Sequence, residues 1–345
     1  MKLTSVSRLA ALAFAGALAL SSAAHADSKA WNELKAKLGP DAQLIAGVNV
    51  SAIKSSKLVQ QLLPQVLSKM GSSDQIDQLT KVCKLEPLTS IDSFVIATDS
   101  SDKGIVTVSL AGANRSSLEA CAKKLSGAQT ITIGKDGALT SYAVTGDTAW
   151  VAWLSNDTVV IPTEPADKAA LTKWIGGGFA KSAIAKLVGT TKTSSAVWLS
   201  TTKSNDLDAG QRMVGAFGNA DLAAGKINVN AHLTLQDAKA AADAVAKANK
   251  QLVDAKQNPP MPALAPIIDG IKLSAAGSDM VVSVSLGEDQ VMMLVGMAMA
   301  TAGAVAPPPP PPPAPAPPSG TNVKVNGSAN NVNVNVNGKP ATPTK

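Results

Sequence analysis

The sequence predicts an α+β protein of two coarsely similar halves, each an antiparallel sheet covered by helices on one face, followed by a disordered Pro-rich tail. Three observations carry that expectation. Short β-patterned runs follow one another through polar turns, as "SFVIAT" and "GIVTVSL" do around Asp99-Ser-Ser-Asp-Lys-Gly104. Helical spacing comes between groups of strands rather than after every strand, which favours antiparallel pairing. The order of elements also repeats. "IVTVSLAGANRSSLEACAKKL" matches "INVNAHLTLQDAKAAADAVAKAN" as strand, loop and helix, and "VAWLSNDTVVIPTEPADKAAL" matches "IKLSAAGSDMVVSVSLGEDQV" as hairpin then helix.

Residues 1–26 read as a signal peptide. Lys2 and Arg8 precede an apolar run, Leu9 to Leu20, and Ala24-His25-Ala26 forms a small-x-small cleavage site. Cleavage between Ala26 and Asp27 would deliver the chain to the periplasm or cell envelope. The apolar run is too short to span a bilayer, and no transmembrane span is expected in the mature chain. No Cys follows the run, so a lipid anchor is not expected.

The segment 27–40 holds a short helix around Trp31, Leu34 and Leu38, stopped by Gly39-Pro40. The first half, 41–178, opens with the strand Ala42 to Val50. A helix over 57–70 follows with a kink at Pro64, then a second over 73–84 that buries Ile76, Leu79 and Cys83. After the hairpin, Leu118, Cys121, Ala122 and Leu125 mark a helical face. Ser116 and Glu119 fit a capping box, and Gly127 is a stop. Strands are expected at 129–133, 139–145, 148–154 and 157–161. A helix "ADKAALTKWI" then ends at Gly176-Gly177-Gly178. Residues 179–193 read as a hinge.

The second half, 194–302, begins with the strand "SAVWLS". A helix is expected from Asp206 to Phe217, then the strand "KINVNAHLTL" and a long helix from Gln236 to Lys256, closed by Pro259-Pro260. A hairpin turns at Gly277-Ser278-Asp279, and "EDQVMMLVGMAMA" is the last helix.

The tail, 303–345, is a Pro-rich stalk followed by an Asn/Val ladder. Polyproline II over 307–318 would extend roughly 37 Å at about 3.1 Å per residue. Val alternates with Asn beyond it, a strand pattern awaiting an edge. The tail is therefore the segment expected to contact an envelope polymer or protein partner.

The full chain carries a net charge of +6; losing Lys2 and Arg8 leaves 29 basic against 25 acidic residues. The lysines are scattered and aromatics make up only 3% of the chain, so no nucleic-acid partner is expected.

Cys83 and Cys121 are the only cysteines. An even count in an exported chain favours a disulfide, with two buried free thiols as the other reading. The stretch "VCKLEPLTSIDSFVIA…GIVTVSL…SSLEACAKKL" resembles exported Gram-negative bacterial proteins of unknown function that carry a Cys-x-x-x-Pro-Leu segment before a strand and a second Cys on the next helix. The resemblance implies export and a paired cysteine, and no activity.

Catalytic patterns are sparse. His232 is the only histidine of the mature chain, and no G-x-S-x-G occurs. "SAIK" places Ser51 and Lys54 in the S-x-x-K spacing of penicillin-interacting serine enzymes, but "KTS" (Lys192 to Ser194) departs from K-T-G. "GGGFAKS" has Ala180 where a phosphate-binding loop needs Gly. Met280, Met292, Met293, Met297 and Met299 lack accompanying Cys or His, and read as core filling rather than a copper site. Asp99, Asp102, Asp206 and Asp208 read as turn residues rather than a calcium loop. Trp150 and Trp153 cannot share a face of one strand; one is expected in the core and the other in an exposed patch.

The sequence thus predicts a non-enzymatic exported envelope protein of structural or binding type, with no cofactor and no metal. Carriage of a small apolar or lipid-like ligand between the halves is the alternative, and serine hydrolysis at Ser51 and Lys54 the second.

Overall fold

"LIAGVN" is apolar along nearly its whole length, and it becomes the middle of the sheet. The computed structural model describes residues 27–54, 56, 60, 80–125, 131–144, 147–164, 167–206, 211–223, 225–257 and 265–294. The signal peptide, most of the helix over 57–70 and of the next helix, Gly127, Pro259-Pro260, Met297, Met299 and the tail lie outside the described residues.

Strand β1 (Leu44–Asn49) pairs antiparallel with β2 (Ile91–Thr98) on one side and with β8 (Val197–Thr201) on the other. Beyond β2 come β3 (Gly104–Leu110), β7 (Thr158–Pro162), β6 (Asp147–Trp153), β5 (Leu139–Val144) and β4 (Thr132–Asp136). Beyond β8 come β10 (Arg212–Ala223), β11 (Lys226–Leu235), β13 (Asp279–Gly287) and β12 (Ile271–Ala276), while β9 (Asn205–Asp206) pairs with β10. The described residues therefore form one 13-stranded antiparallel sheet.

The repeat read from the sequence is a topological repeat. Outward from the junction, β1-β2-β3-β7-β6 is matched by β8-β10-β11-β13-β12. In each half a helix follows the third of these strands: α4 (Arg115–Leu125) after β3 and α7 (Ala238–Gln257) after β11. Antiparallel pairing of β1 with β8 relates the halves by an approximate two-fold at the junction. They meet edge to edge, and their sheets fuse into one instead of stacking face to face.

Directly opposed residues of antiparallel strands point to the same face, which assigns the two cores. Ile45, Val95, Ala97, Ile105, Ala152, Val160 and Trp198 lie on one face. They are covered by α1 (Lys29–Leu34), α5 (Lys168–Trp174) and α6 (Ala183–Thr190), through Trp31, Leu34, Leu171, Ile184 and Val188. Val48, Val197, Ala220, Leu222, Ile227 and Leu286 lie on the other face. They are covered by α2 (Val50–Ile53), by α8 (Ala265–Asp269) and by the helical residues 288–294, with Val291 fully buried and Met292 and Met293 packed against the cluster. β1 and β8 contribute buried side chains to both cores, and β2 adds Val95 and Ala97 to one and Phe94 to the other, which explains the nearly continuous apolar reading of β1 and β8.

The opposite side of the second half is polar. Ser283 donates to Asn230 and Ser285 to Asn228, both at 2.9 Å. An antiparallel sheet tolerates one solvated face in this way.

Several expectations are corrected. Within 206–217, read as a helix, Asp206 belongs to strand β9 and residues 212–217 to the start of β10. A glycine costs a helix about 1 kcal/mol, whereas a strand can use one for close approach. A Cβ at Gly218 would sit 2.6 Å from the Asn230 carbonyl oxygen. Pairing on both edges decides the outcome. Residues 179–193, read as a hinge, form a 3₁₀ turn (Phe179–Lys181) and then α6, whose Ile184 and Val188 are buried. The first strand after α4 lies at Thr132–Asp136 rather than 129–133. The cap of α4 is Asn114, not Ser116. Asn114 Oδ1 accepts from Ser117 N at 3.0 Å, Ser117 Oγ accepts from Asn114 N at 2.8 Å, and Glu119 instead pairs with Arg115 at 2.8 Å. Trp153 is 6% exposed on one face of β6, and Trp150 packs half-buried against the core of the other, so the pair forms no exposed patch.

Cys83 and Cys121 are bridged, with Cα atoms 5.1 Å apart and 38 residues of separation. The bond ties the segment before β2 to α4, across the β2–β3 hairpin. A loop of this length predicts about 4 kcal/mol of stabilisation by restriction of the unfolded chain. Replacing both cysteines by Ser should lower the unfolding free energy by that order, read from urea denaturation. Neither thiol should alkylate without reductant. Ready alkylation of both, or an unchanged midpoint, would contradict the bridge.

Candidate functional site

Trp31 is the residue around which the candidate site is built. Helix α1 is only six residues long, so it depends on packing more than on its own hydrogen bonds. Its Ala30, Trp31 and Leu34 turn toward the sheet, and Ala30 N donates to the buried Ser93 Oγ at 3.1 Å. The Trp31 ring meets Trp198 of β8 edge to face at 5.1 Å, and meets Phe179 in the same manner at 5.4 Å. Edge-to-face contacts at these distances suit the ring quadrupoles.

Between α1 and α6 lies an open cleft of about 350 Å³. Its apolar lining is Trp31, Phe179, Ala185, Val188 and Gly189; Asp27, Lys35, Thr191 and Thr193 make its polar rim. A Cβ built on Gly189 meets no atom within 4 Å, so this wall faces free space. The cleft sits on the face of the sheet where the halves join, with Trp198 of the second half behind Trp31 of the N-terminal segment.

Ion pairs hold α1 at both ends. Lys29 pairs with Asp157, and Lys35 with Asp27 at 3.0 Å. The contact to Lys29 holds the Asp157 carboxyl below its ordinary value, and the contact to Asp157 raises the Lys29 ammonium. Burial pushes the Asp27 carboxyl up. The Thr193 hydroxyl, which donates to Asp27 Oδ1 at 2.5 Å, and the Lys35 ammonium together outweigh that and leave it lowered.

The residues singled out from the sequence do not assemble into a catalytic site. Ser51 Oγ donates to the Asp92 carboxylate, and among the described residues no hydrogen bond or ion pair joins it to Lys54, which is exposed. Lys192 pairs with Asp221 at 2.7 Å and Thr193 points to Asp27, so "KTS" ties a loop down. His232 stacks on Phe217 at 4.4 Å on the polar face, with Asp279 3.5 Å away. Asp99 accepts from Ser101 N at 2.7 Å, and Asp102 pairs with Lys203, both as turn residues. Among the described residues no three His, Cys, Asp or Glu side chains gather as metal ligands, and no helix is long and apolar enough to cross a membrane.

Phe179 and Gly189 were missed because 179–193 reads as a hinge. The spacing of Ile184 and Val188, one helical turn apart, is the signal that would have placed a helix there.

No protein-family model matches the chain, and no curated protein matches it. Among solved structures it is similar in outline to crystal form I of TP0453, with 9% identity and a TM-score of 0.46, over 76% of this chain and 96% of that one. Crystal form III of TP0453 gives 9% identity and a TM-score of 0.45, over 76% and 97%.

Asp27 and Asp157 both have depressed carboxyl values in the folded chain, so their contribution is complete above the ordinary carboxylate value near 3.8 and is lost as pH falls through their lower folded values. Acidification below about pH 4 should therefore loosen α1 before the sheet. Hydrogen exchange followed against pH should show the α1 amides losing protection ahead of β1 and β8. Simultaneous loss would show that these contacts do not govern α1.

Proposed function

We propose that this chain is an exported, non-catalytic binding protein of the cell envelope that takes a small apolar ligand into the cleft between α1 and α6. The cleft itself carries the reading. Its floor and walls are aromatic and aliphatic, its rim is polar, and its volume of about 350 Å³ falls at the lower end of the usual small-molecule range of roughly 300–1,000 Å³. The disulfide suits an oxidising compartment, as the signal-peptide pattern expects. Ser51 lies away from the lining and is engaged by Asp92, so hydrolysis at Ser51 and Lys54 gains no support from the geometry.

Binding would draw on apolar burial against Trp31 and Phe179, at about 25 cal/mol per Å² of surface removed from water. The polar rim would fix orientation.

Gly189→Leu tests the site. Gly189 lies in the cleft lining, a Cβ there meets no atom within 4 Å, and replacing a helical glycine favours α6. A fluorescent apolar probe should bind the parent chain saturably at one site. The variant should bind it at least about tenfold more weakly, the loss of about 1.4 kcal/mol, while its melting temperature holds or rises. Unchanged probe affinity in a well-folded variant would remove the cleft from consideration.

A further inference from the structure

The cleft rim contains the residue that signal-peptide removal would make the first of the chain. Asp27 lines the cleft, and its carboxylate is fully engaged: Thr193 Oγ1 donates to Oδ1 at 2.5 Å, and Lys35 Nζ donates to Oδ2 at 3.0 Å. Its carbonyl oxygen accepts from Asn32 Nδ2 at 2.9 Å. These contacts fix the residue's position on three sides.

Cleavage between Ala26 and Asp27 replaces a neutral peptide nitrogen by an α-ammonium, charged at neutral pH. Covalent geometry keeps that nitrogen within about 4 Å of the Asp27 carboxylate, hence at the rim. Asp27 and Lys35 are the charged side chains of the lining, and they neutralise one another. The new ammonium is then the uncompensated charge at the mouth of an apolar cleft. The Thr193 hydroxyl donates to Asp27 and the Thr191 hydroxyl is engaged by the Leu187 carbonyl and Ser200, so the α-ammonium is the donor left for a head group.

We infer that the mature N-terminus of Asp27 is a ligand-binding group, and that the cleft prefers an amphiphile with a single carboxylate head and a short apolar tail. The tail lies against Trp31 and Phe179, and the head meets the α-ammonium. Processing at Ala26–Asp27 would thereby complete the site, so the unprocessed chain lacks the head-group contact. This inference rests on the cleft being the binding site, and adds to it the head-group chemistry.

The test uses the processed chain beginning at Asp27 and the same chain retaining Ala24 to Ala26, which moves the terminal ammonium about 10 Å along the backbone. Octanoate and octanol compete against the fluorescent probe on each. The processed chain should favour octanoate over octanol by about three- to fivefold, the upper part of the range for a partly exposed ion pair. The extended chain should lose that preference and keep its octanol affinity. Equal binding of the two probes by the processed chain, or the same preference in the extended chain, would overturn the inference and leave the cleft as the apolar site. Failure of both probes to displace would overturn the cleft reading along with it. N-terminal sequencing of the exported protein that begins elsewhere than Asp27 would also overturn it.

Discussion

The Trp198 ring against Gly47 is the contact on which the arrangement depends. The two residues are directly opposed across the β1–β8 pairing. A Cβ on Gly47 would stand 2.4 Å from the indole, so the ring occupies the space a side chain would fill. Trp198 is 1% exposed and is the largest fully buried side chain described. It lies where the two halves join, and the edge-to-face contact with Trp31 passes from it to Phe179 and the cleft. The junction, the docking of α1 and the floor of the candidate site therefore share one constraint.

That constraint also explains the division of the helices. With β1 and β8 buried on both faces, the apolar layers diverge from the junction. The first half closes one side of the sheet under α1, α5 and α6 and buries Trp153 on the other beneath Arg115 of α4, while the second half closes that other side under α2, α8 and residues 288–294. The polar rows of Asn228, Asn230, Ser283 and Ser285 occur where no helix among the described residues covers the sheet.

Much of the sheet was legible in the sequence because its cause is local. Period-two runs and polar turns placed β2, β3, β5, β6, β7, β11, β12 and β13, and the aligned stretches are equivalent in the sheet order. Parity of cysteines, read together with the signal-peptide pattern, anticipated the Cys83–Cys121 bridge. Strand β10 was not legible, since its glycines serve contacts with β8 and β11 that exist only once the sheet forms. The cleft was hidden for a similar reason. Trp31 and Phe179 are far apart in the chain, and the segment carrying Phe179 and Gly189 has the composition of a flexible link. Its helix is settled by burial of Ile184 and Val188 on the sheet.

The most direct measurement is the response to Gly47→Ala, followed by urea denaturation and apolar-probe binding on the same sample. The added methyl group must displace the buried indole, and overpacking of this kind costs about 1–3 kcal/mol. The account predicts a lower urea midpoint together with weaker probe binding, because Trp31 and the cleft floor move with Trp198. A midpoint and a probe affinity both equal to those of the parent chain would contradict it.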